Sequence, residues 1–426
     1  MTPYGYATIE RMNKRTFYFL LSYSIFVLTL LFASQHIAST EIFTAKPAVA
    51  QPASVFFVES STPETLKQVF AAARTGGRKL RVLIVPGHDN EYWGTEFQGV
   101  KEADMTLALG TELDRLLLQD PEIDPVITRN ISGYTPTFAS YFSDNADQIL
   151  LFVQTKKQIM TNLISQGQVS EDANKIYHND ALAPVVERLY GINKWANEHN
   201  IDLVIHIHFN DYPRRKMSKA GEYSGFSIYV PDHQYSNARA SKEVADSVSK
   251  QLQTYYPESN LPIEDSGVVE DQDLIAVGAF NTVDPAVFLV EYGYIYEPQF
   301  LDPEIRGQVI NELAMQTYIG LHNFFENATS TAVGKYGTTL LPYTWKTIVQ
   351  PGVKYNSSIL SLQAALVLEG VYPPANQDKH DCPLSGTYGP CTEKSLALFQ
   401  QKYNIGDTPG KLGVATRQKL NELYGE

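Results

Sequence analysis

Three residues able to bind a transition metal or move a proton sit at the ends of apolar, strand-like runs in this chain. His88 follows RVLIVPG, His208 closes DLVIHIH (202–208), and Glu291 closes AVFLVE (286–291). Open α/β sheets build their sites in the crevice beyond the carboxyl ends of their strands, so three such ends can bring three such side chains together. Glu102 opens the helical pattern after the first strand, three residues before Met105, and can face the same crevice. Two imidazoles and a carboxylate leave Zn2+ one open position, the pattern of a hydrolytic centre. A second carboxylate is then needed to take a proton from water. Taken singly, a histidine is more often a core or surface residue, and Glu102 can simply complement a helix N-terminus. Glu291 at the end of an apolar run is harder to set aside, because an unpaired buried carboxylate is costly. The chain has no G-x-S-x-G elbow, P-loop or dinucleotide-binding glycine fingerprint, and neither cysteine has a nucleophile's neighbourhood.

The elements that must position these residues alternate along the chain. RVLIV (81–85), DLVIHIH, GFSIYV (225–230) and AVFLVE read as strands. KEADMTLALGTELDRLLLQ (101–119) and GQVINELAMQTYIGLHNFF (307–325) carry apolar residues at helical spacing. Strands interleaved with helices predict an α/β domain, a layered mixed sheet flanked by helices, over 79–326. Before it, 41–78 is rich in Ala, Pro, Ser and Thr and reads as a stalk with one helical patch, TLKQVFAAAR. After it, the polar segment 327–343 reads as a linker to a small all-α unit of three helices, 344–426.

The ordered set IVPGH (84–88), KEADMTLALGTEL (101–113), VITR (126–129), RLYGINKWANEHNIDLVIHIHFN (188–210) and PAVFLVEYGYI (285–295) resembles the zinc-dependent N-acetylmuramoyl-L-alanine amidases of the type-3 amidase fold. The resemblance spans roughly 80–325 and implies cleavage of the amide joining N-acetylmuramic acid to L-alanine in peptidoglycan. It makes His88, Glu102 and His208 the zinc ligands and Glu291 the catalytic carboxylate. The chain departs from the family pattern in three places. Val85, Asp89 and Asn90 replace the usual Asp before the Pro and the two glycines after the His. His206 stands where the family usually has Ser, on the same strand face as His208, so it reads as a support behind the ligands, a substrate contact or a competing ligand. The first two of these fit better, and Asn210 and Arg129 join His206 as support or substrate candidates. Finally, 131–187 is a long insertion with a helical stretch, DQILLFVQTKKQIMTNLI (147–164), that reads as a lid, a docking element for a protein regulator, or decoration.

Two other readings compete. One is a catalytically inactive wall-binding scaffold that kept the fold, for which the altered PGHDN loop speaks. The other is a different metallohydrolase using His206 and His208 as an H-x-H pair, but His233, His322 and His380 downstream follow no strand-like run.

The 426 residues suit two domains and a tail, and 43% hydrophobic content excludes general disorder. Net charge is −13; residues 1–50 carry +2 and 341–426 carry +1, which leaves −16 for the middle. With no basic stripe, nucleic acid is excluded as a partner. At the N-terminus Arg11, Lys14 and Arg15 precede the apolar run FYFLLSYSIFVLTLLFA (17–33), which predicts an uncleaved signal anchor within 1–40. The chain is then expected in the cell membrane with a single pass and its catalytic part extracytoplasmic. Cleavage at Ala48-Val49-Ala50, giving a secreted or periplasmic protein, is the alternative. Cys382 and Cys391 enclose a Gly/Pro-rich loop and are expected to form a disulfide in such an oxidising space. The last unit resembles the three-helix peptidoglycan-binding domain through SLQAALVLEGVY, SGTYGPCTEKSLALFQQKYNI and GKLGVATRQKL. Leu396 and Phe399 are expected in its core and an exposed binding surface near Tyr388 and Gly389.

Overall fold

A computed structural model describes residues 59–172, 181–212, 215–264, 266–326 and 335–426. Its elements in chain order are α1 (Pro63–Ala73), β1 (Leu80–Pro86), α2 (Glu102–Leu117), β2 (Ile123–Ile127), α3 (Pro136–Asp144), α4 (Ala146–Ser165), α5 (Ala183–Glu198), β3 (Leu203–Asn210) and β4 (Ser227–Pro231). There follow α6 (Ala238–Leu252), β5 (Val268–Asp271), β6 (Ala286–Tyr294), α7 (Pro303–Glu326), α8 (Ser357–Leu368), α9 (Pro390–Lys402) and α10 (Val414–Tyr424). The six strands form one sheet in the order β2-β1-β3-β6-β4-β5. All neighbours are parallel except β6 and β4, so the sheet is mixed.

Central strands covered on both faces must be apolar on both faces, and β1, β3 and β6 are nearly continuous apolar runs. Leu80, Val82, Ile84, Ile205, Ile207, Phe288 and Val290 pack into a core shared with α1, α2, α6 and α7. Leu83, Val85, Val204, Val287 and Leu289 point the other way, onto Phe138, Ile192 and Trp195 of α3 and α5. The result is three layers with the sheet in the middle. Because β1, β3 and β6 run parallel, their carboxyl ends share one edge, with Glu291 of β6 in register with His208 of β3.

Two segments near the expected boundaries pack onto this body. Within 41–78, α1 starts at a capping box between Thr62 and Thr65 and buries Leu66 and Phe70 in the main core. Within 327–343, Leu340 and Leu341 join the same core, as do Trp345 and the apolar faces of α8, α9 and α10. Leu396 and Phe399 are fully buried there. Tyr388 is buried too, with its hydroxyl donating to the Gly410 carbonyl (2.9 Å), while Gly389 beside it is half-buried and Pro390 exposed. Aromatic bulk beside a Gly/Pro-rich loop served packing rather than display. Cys382 and Cys391 form the disulfide, with Cα atoms 5.8 Å apart. The expected anchor, 17–33, lies outside the described residues, and no helix among the described residues is long and apolar enough to cross a membrane.

Candidate active site

His88, Glu102 and His208 converge, and their ligand atoms all lie within 4.8 Å of one another. Each arrives by a different local device. β1 ends at Pro86-Gly87, and His88 turns the chain in the left-handed region at φ 62°, a conformation that costs about 1–2 kcal/mol for a residue with a Cβ. Arg129, 1% exposed, holds that turn. Its Nε donates to the Pro86 carbonyl (3.0 Å), and its Nη2 donates to the carbonyls of Gly87 (2.9 Å) and Ala103 (2.8 Å) and to Thr106 Oγ1 (2.9 Å). One buried guanidinium therefore fastens the end of β1 to the start of α2. Burial pushes the Arg129 guanidinium below its ordinary value, opposed by the charges of Tyr134, Asp89 and Asp104.

Glu102 is the first residue of α2, where a carboxylate complements the free N–H groups and the dipole. No side chain caps this helix; the carbonyls of Thr95 and Trp93 accept from the N–H groups of Glu102 (2.9 Å) and Ala103 (3.1 Å) instead. The Glu102 carboxylate, 4% exposed, is divided between the two imidazoles. Oε2 lies 3.0 Å from His88 Nε2, and Oε1 lies 3.0 Å from His208 Nδ1. The N–H groups of Thr95 (3.1 Å) and Phe209 (3.2 Å) fix the same two oxygens. Burial works against the Glu102 charge, yet the two imidazoles prevail and hold its carboxyl well below the usual range. Burial works against a charged His88 as well, but Glu102 raises its pKa; His208 is pushed down by burial.

Two imidazole nitrogens and a carboxylate oxygen are zinc's usual donors, and a tetrahedral ion with bonds of about 2.0–2.2 Å spaces its ligands about 3.3 Å apart. The three residues here supply that donor set, with their ligand atoms within 4.8 Å of one another. Two glycines make room for it. A Cβ on Gly87 would run into the His208 ring, and one on Gly94 would meet Glu102 Oε2 and come within 2.6 Å of His88 Cδ2.

A cavity of about 630 Å³ opens over the trio, a size suited to a small-molecule or peptide segment. Glu291 lines it, and its Oε2 is buried with no hydrogen-bond partner among the described residues. Burial, with the charges of Glu102 and Glu264, pushes the Glu291 carboxyl well above the ordinary glutamate value. Asn210 also lines the cavity, with its Nδ2 donating to Glu264 (2.9 Å) and its Oδ1 accepting from the Tyr212 N–H (2.7 Å). Of the other candidates, Arg129 sits behind the ligands, away from the cavity lining. His206 is fully buried between Val85 and Leu289 of the neighbouring strands, outside the converging trio. Neither ring nitrogen of His206 has a partner among the described residues, and burial, then the charge of His208, pushes its pKa down to about 3.

Sequence reasoning missed Glu264, a buried carboxylate that also accepts from the Tyr229 (2.6 Å) and Tyr294 (3.1 Å) hydroxyls. It lies in a short polar loop with no strand or helix periodicity to mark it. Gly94 was missed for the same reason.

No curated protein matches the chain. Among solved structures, it is similar to the N-acetylmuramoyl-L-alanine amidase of Clostridium difficile 630, at 17% identity and TM-score 0.38, covering 59% of this chain and 100% of that one. It is also similar to the amidase of Mycobacterium smegmatis (17% identity, TM-score 0.37, 59% and 99% covered). A third is that of Nostoc punctiforme (17%, TM-score 0.34, 58% and 97%). The sequence profile of the N-acetylmuramoyl-L-alanine amidase family matches residues 82–322, more than half of the chain and a span that includes His88, Glu102, His208 and Glu291. By that match the chain belongs to the N-acetylmuramoyl-L-alanine amidase family.

Proposed function

We propose that this member of the family is a zinc-dependent cell-wall hydrolase that cleaves the amide between the lactyl group of N-acetylmuramic acid and L-alanine. His88, Glu102 and His208 would hold the metal, and Glu291 would be the proton carrier. When bound, zinc supplies a Lewis acid that polarises the amide carbonyl and makes water acidic near neutral pH. The chain's own part is to aim and to carry the proton. Glu291 takes a proton from the attacking water at its carboxylate and returns it to the departing amine nitrogen. The observation that carries this reading is the unpartnered, buried Oε2 of Glu291 in the same cavity as three converging donors.

Glu291→Ala is expected to keep one zinc per chain while turnover falls roughly a thousandfold. Loss of zinc in that variant would make Glu291 a ligand instead. His206→Ala is expected to keep the zinc as well, because its ring lies outside the trio; zinc loss there would support an H-x-H site.

We further propose that residues 17–33 anchor the chain in the cytoplasmic membrane with the enzyme outside, with a cleaved, secreted or periplasmic form as the alternative. Residues 344–426 would bind peptidoglycan, and 131–187 would receive a protein regulator. Leu150, Leu151 and Ile159 of α4 are exposed on that insertion, which is what supports the last assignment.

A further inference from the structure

The residues that line the cavity differ in exposure. Tyr229, Leu289 and Glu264, which line it together with Glu291, are 4%, 3% and 1% exposed. Trp93, in the loop between His88 and Glu102, lines it with 42% of its surface exposed, and Met217 with 73%. The chain's other two tryptophans, Trp195 and Trp345, are core residues at 4% and 2%.

The exposed indole is held in place. Its own carbonyl accepts from the first turn of α2, and Gly94, next in sequence, is pressed against Glu102 and His88. Lys101, at the start of α2, sets its Nζ 4.3 Å from the ring centroid. A rigid aromatic at a cavity rim, one residue from a glycine that touches two of the proposed ligands, is a preorganised contact surface.

The substrate's topology decides what meets that surface. A glycan strand continues in both directions from the muramoyl residue under attack and needs an open rim. A stem peptide is a slender single chain and can enter a closed end. We propose that Trp93 is the platform on which the N-acetylmuramoyl ring stacks, the residue that sets specificity on the glycan side, with the stem peptide running toward Tyr229 and Glu264. This rests on the amidase reading above. The C–H face of a pyranose packs on an aromatic face, and contact made equally in ground and transition states appears in KM rather than kcat.

Because the other two tryptophans are buried in the core and do not line the cavity, a ligand-induced change in indole emission that disappears with Trp93→Phe reports on Trp93. The full chain carrying Glu291→Gln, zinc-loaded and unable to turn over, is titrated with the peptide-free N-acetylglucosaminyl–N-acetylmuramic acid disaccharide and, separately, with free stem peptide. The disaccharide is expected to shift or quench the emission, and Trp93→Phe in the same background is expected to abolish that signal. In the otherwise wild-type chain, Trp93→Ala is expected to raise KM about tenfold for a soluble disaccharide–peptide, with kcat within about twofold, and Trp93→Phe to restore KM. An emission change with free peptide and none with disaccharide overturns the assignment, as does an unmoved KM in Trp93→Ala. If the wild-type chain, Trp93 intact, neither binds nor cuts the disaccharide–peptide, the amidase reading itself falls.

Discussion

Gly94 has no functional group, yet a methyl there would intrude on Glu102 Oε2 and the His88 ring, and its φ of +74° disfavours any side chain. Gly94→Ala is therefore expected to lower zinc affinity at least tenfold while the fold persists, measured by competition with a chromophoric chelator. Unchanged affinity would mean that the trio does not need its observed spacing. The same crowding explains why some residues could be read from the sequence and others could not. His88, His208 and Glu291 end apolar strands, where polarity is anomalous and so informative, and Glu102 opens an amphipathic helix. Glu264 is equally buried, but its burial comes from tertiary packing of a loop against Tyr229 and Tyr294. Nothing local in a polar loop announces that. His206 is the converse, a polar residue in a strand whose position drew attention but whose ring is enclosed by apolar neighbours.

At the scale of elements, the end of β1 and the start of α2 hang on Arg129. Arg129→Met leaves the carbonyls of Pro86, Gly87 and Ala103 without that donor and is expected to cost about 3 kcal/mol in denaturant unfolding. A cost near zero would show that the His88 turn stands without the clamp. Helix α7 carries a second buried charge site, Glu312, which accepts from the Thr339 N–H (2.7 Å) and Gln316 Nε2 (2.6 Å). Burial raises its folded-state pKa despite these donors. The folded carboxyl thus keeps its proton to higher pH than the unfolded chain does. Its contribution is full below the ordinary glutamate value and is lost as pH rises through the raised one. Glu312→Gln is expected to flatten that stretch of the stability–pH curve, and an unaltered slope would contradict the assignment. The central strands were legible because burial on both faces demands apolar runs. The edge strands were not: β2 contains Pro125, tolerable at an edge, and β5 reads VVED. Helix α6 also escaped, since its buried face is built mostly of Ala, Ser and Val rather than large apolar residues.

Over the whole molecule, the C-terminal helices share one apolar core with the amidase layers, through Leu340, Leu341, Trp345 and Ile305. Polar contacts cross the same boundary, from Gln308 to Ser357 (2.8 Å) and between Ser224 and His380 (2.8 Å). A composition shift marked a boundary in the sequence, but composition does not reveal whether the far side packs back. Residues 59–426 are therefore expected to unfold in one cooperative transition, with loss of enzyme activity and of buried-tryptophan emission coinciding. Two separated transitions would show independent domains. Replacing Cys382 and Cys391 by Ser frees a nine-residue separation and is expected to cost about 2–3 kcal/mol of that stability. The central claim, metal-dependent cleavage of the muramoyl–alanine amide, is tested most directly by mass spectrometry of what the chain releases from intact peptidoglycan. The account predicts stem peptides with a free L-alanine amine, released with zinc and not after chelation. Release of sugar-bearing fragments, of peptides cut within the stem, or of the same products in the presence of chelator would contradict it.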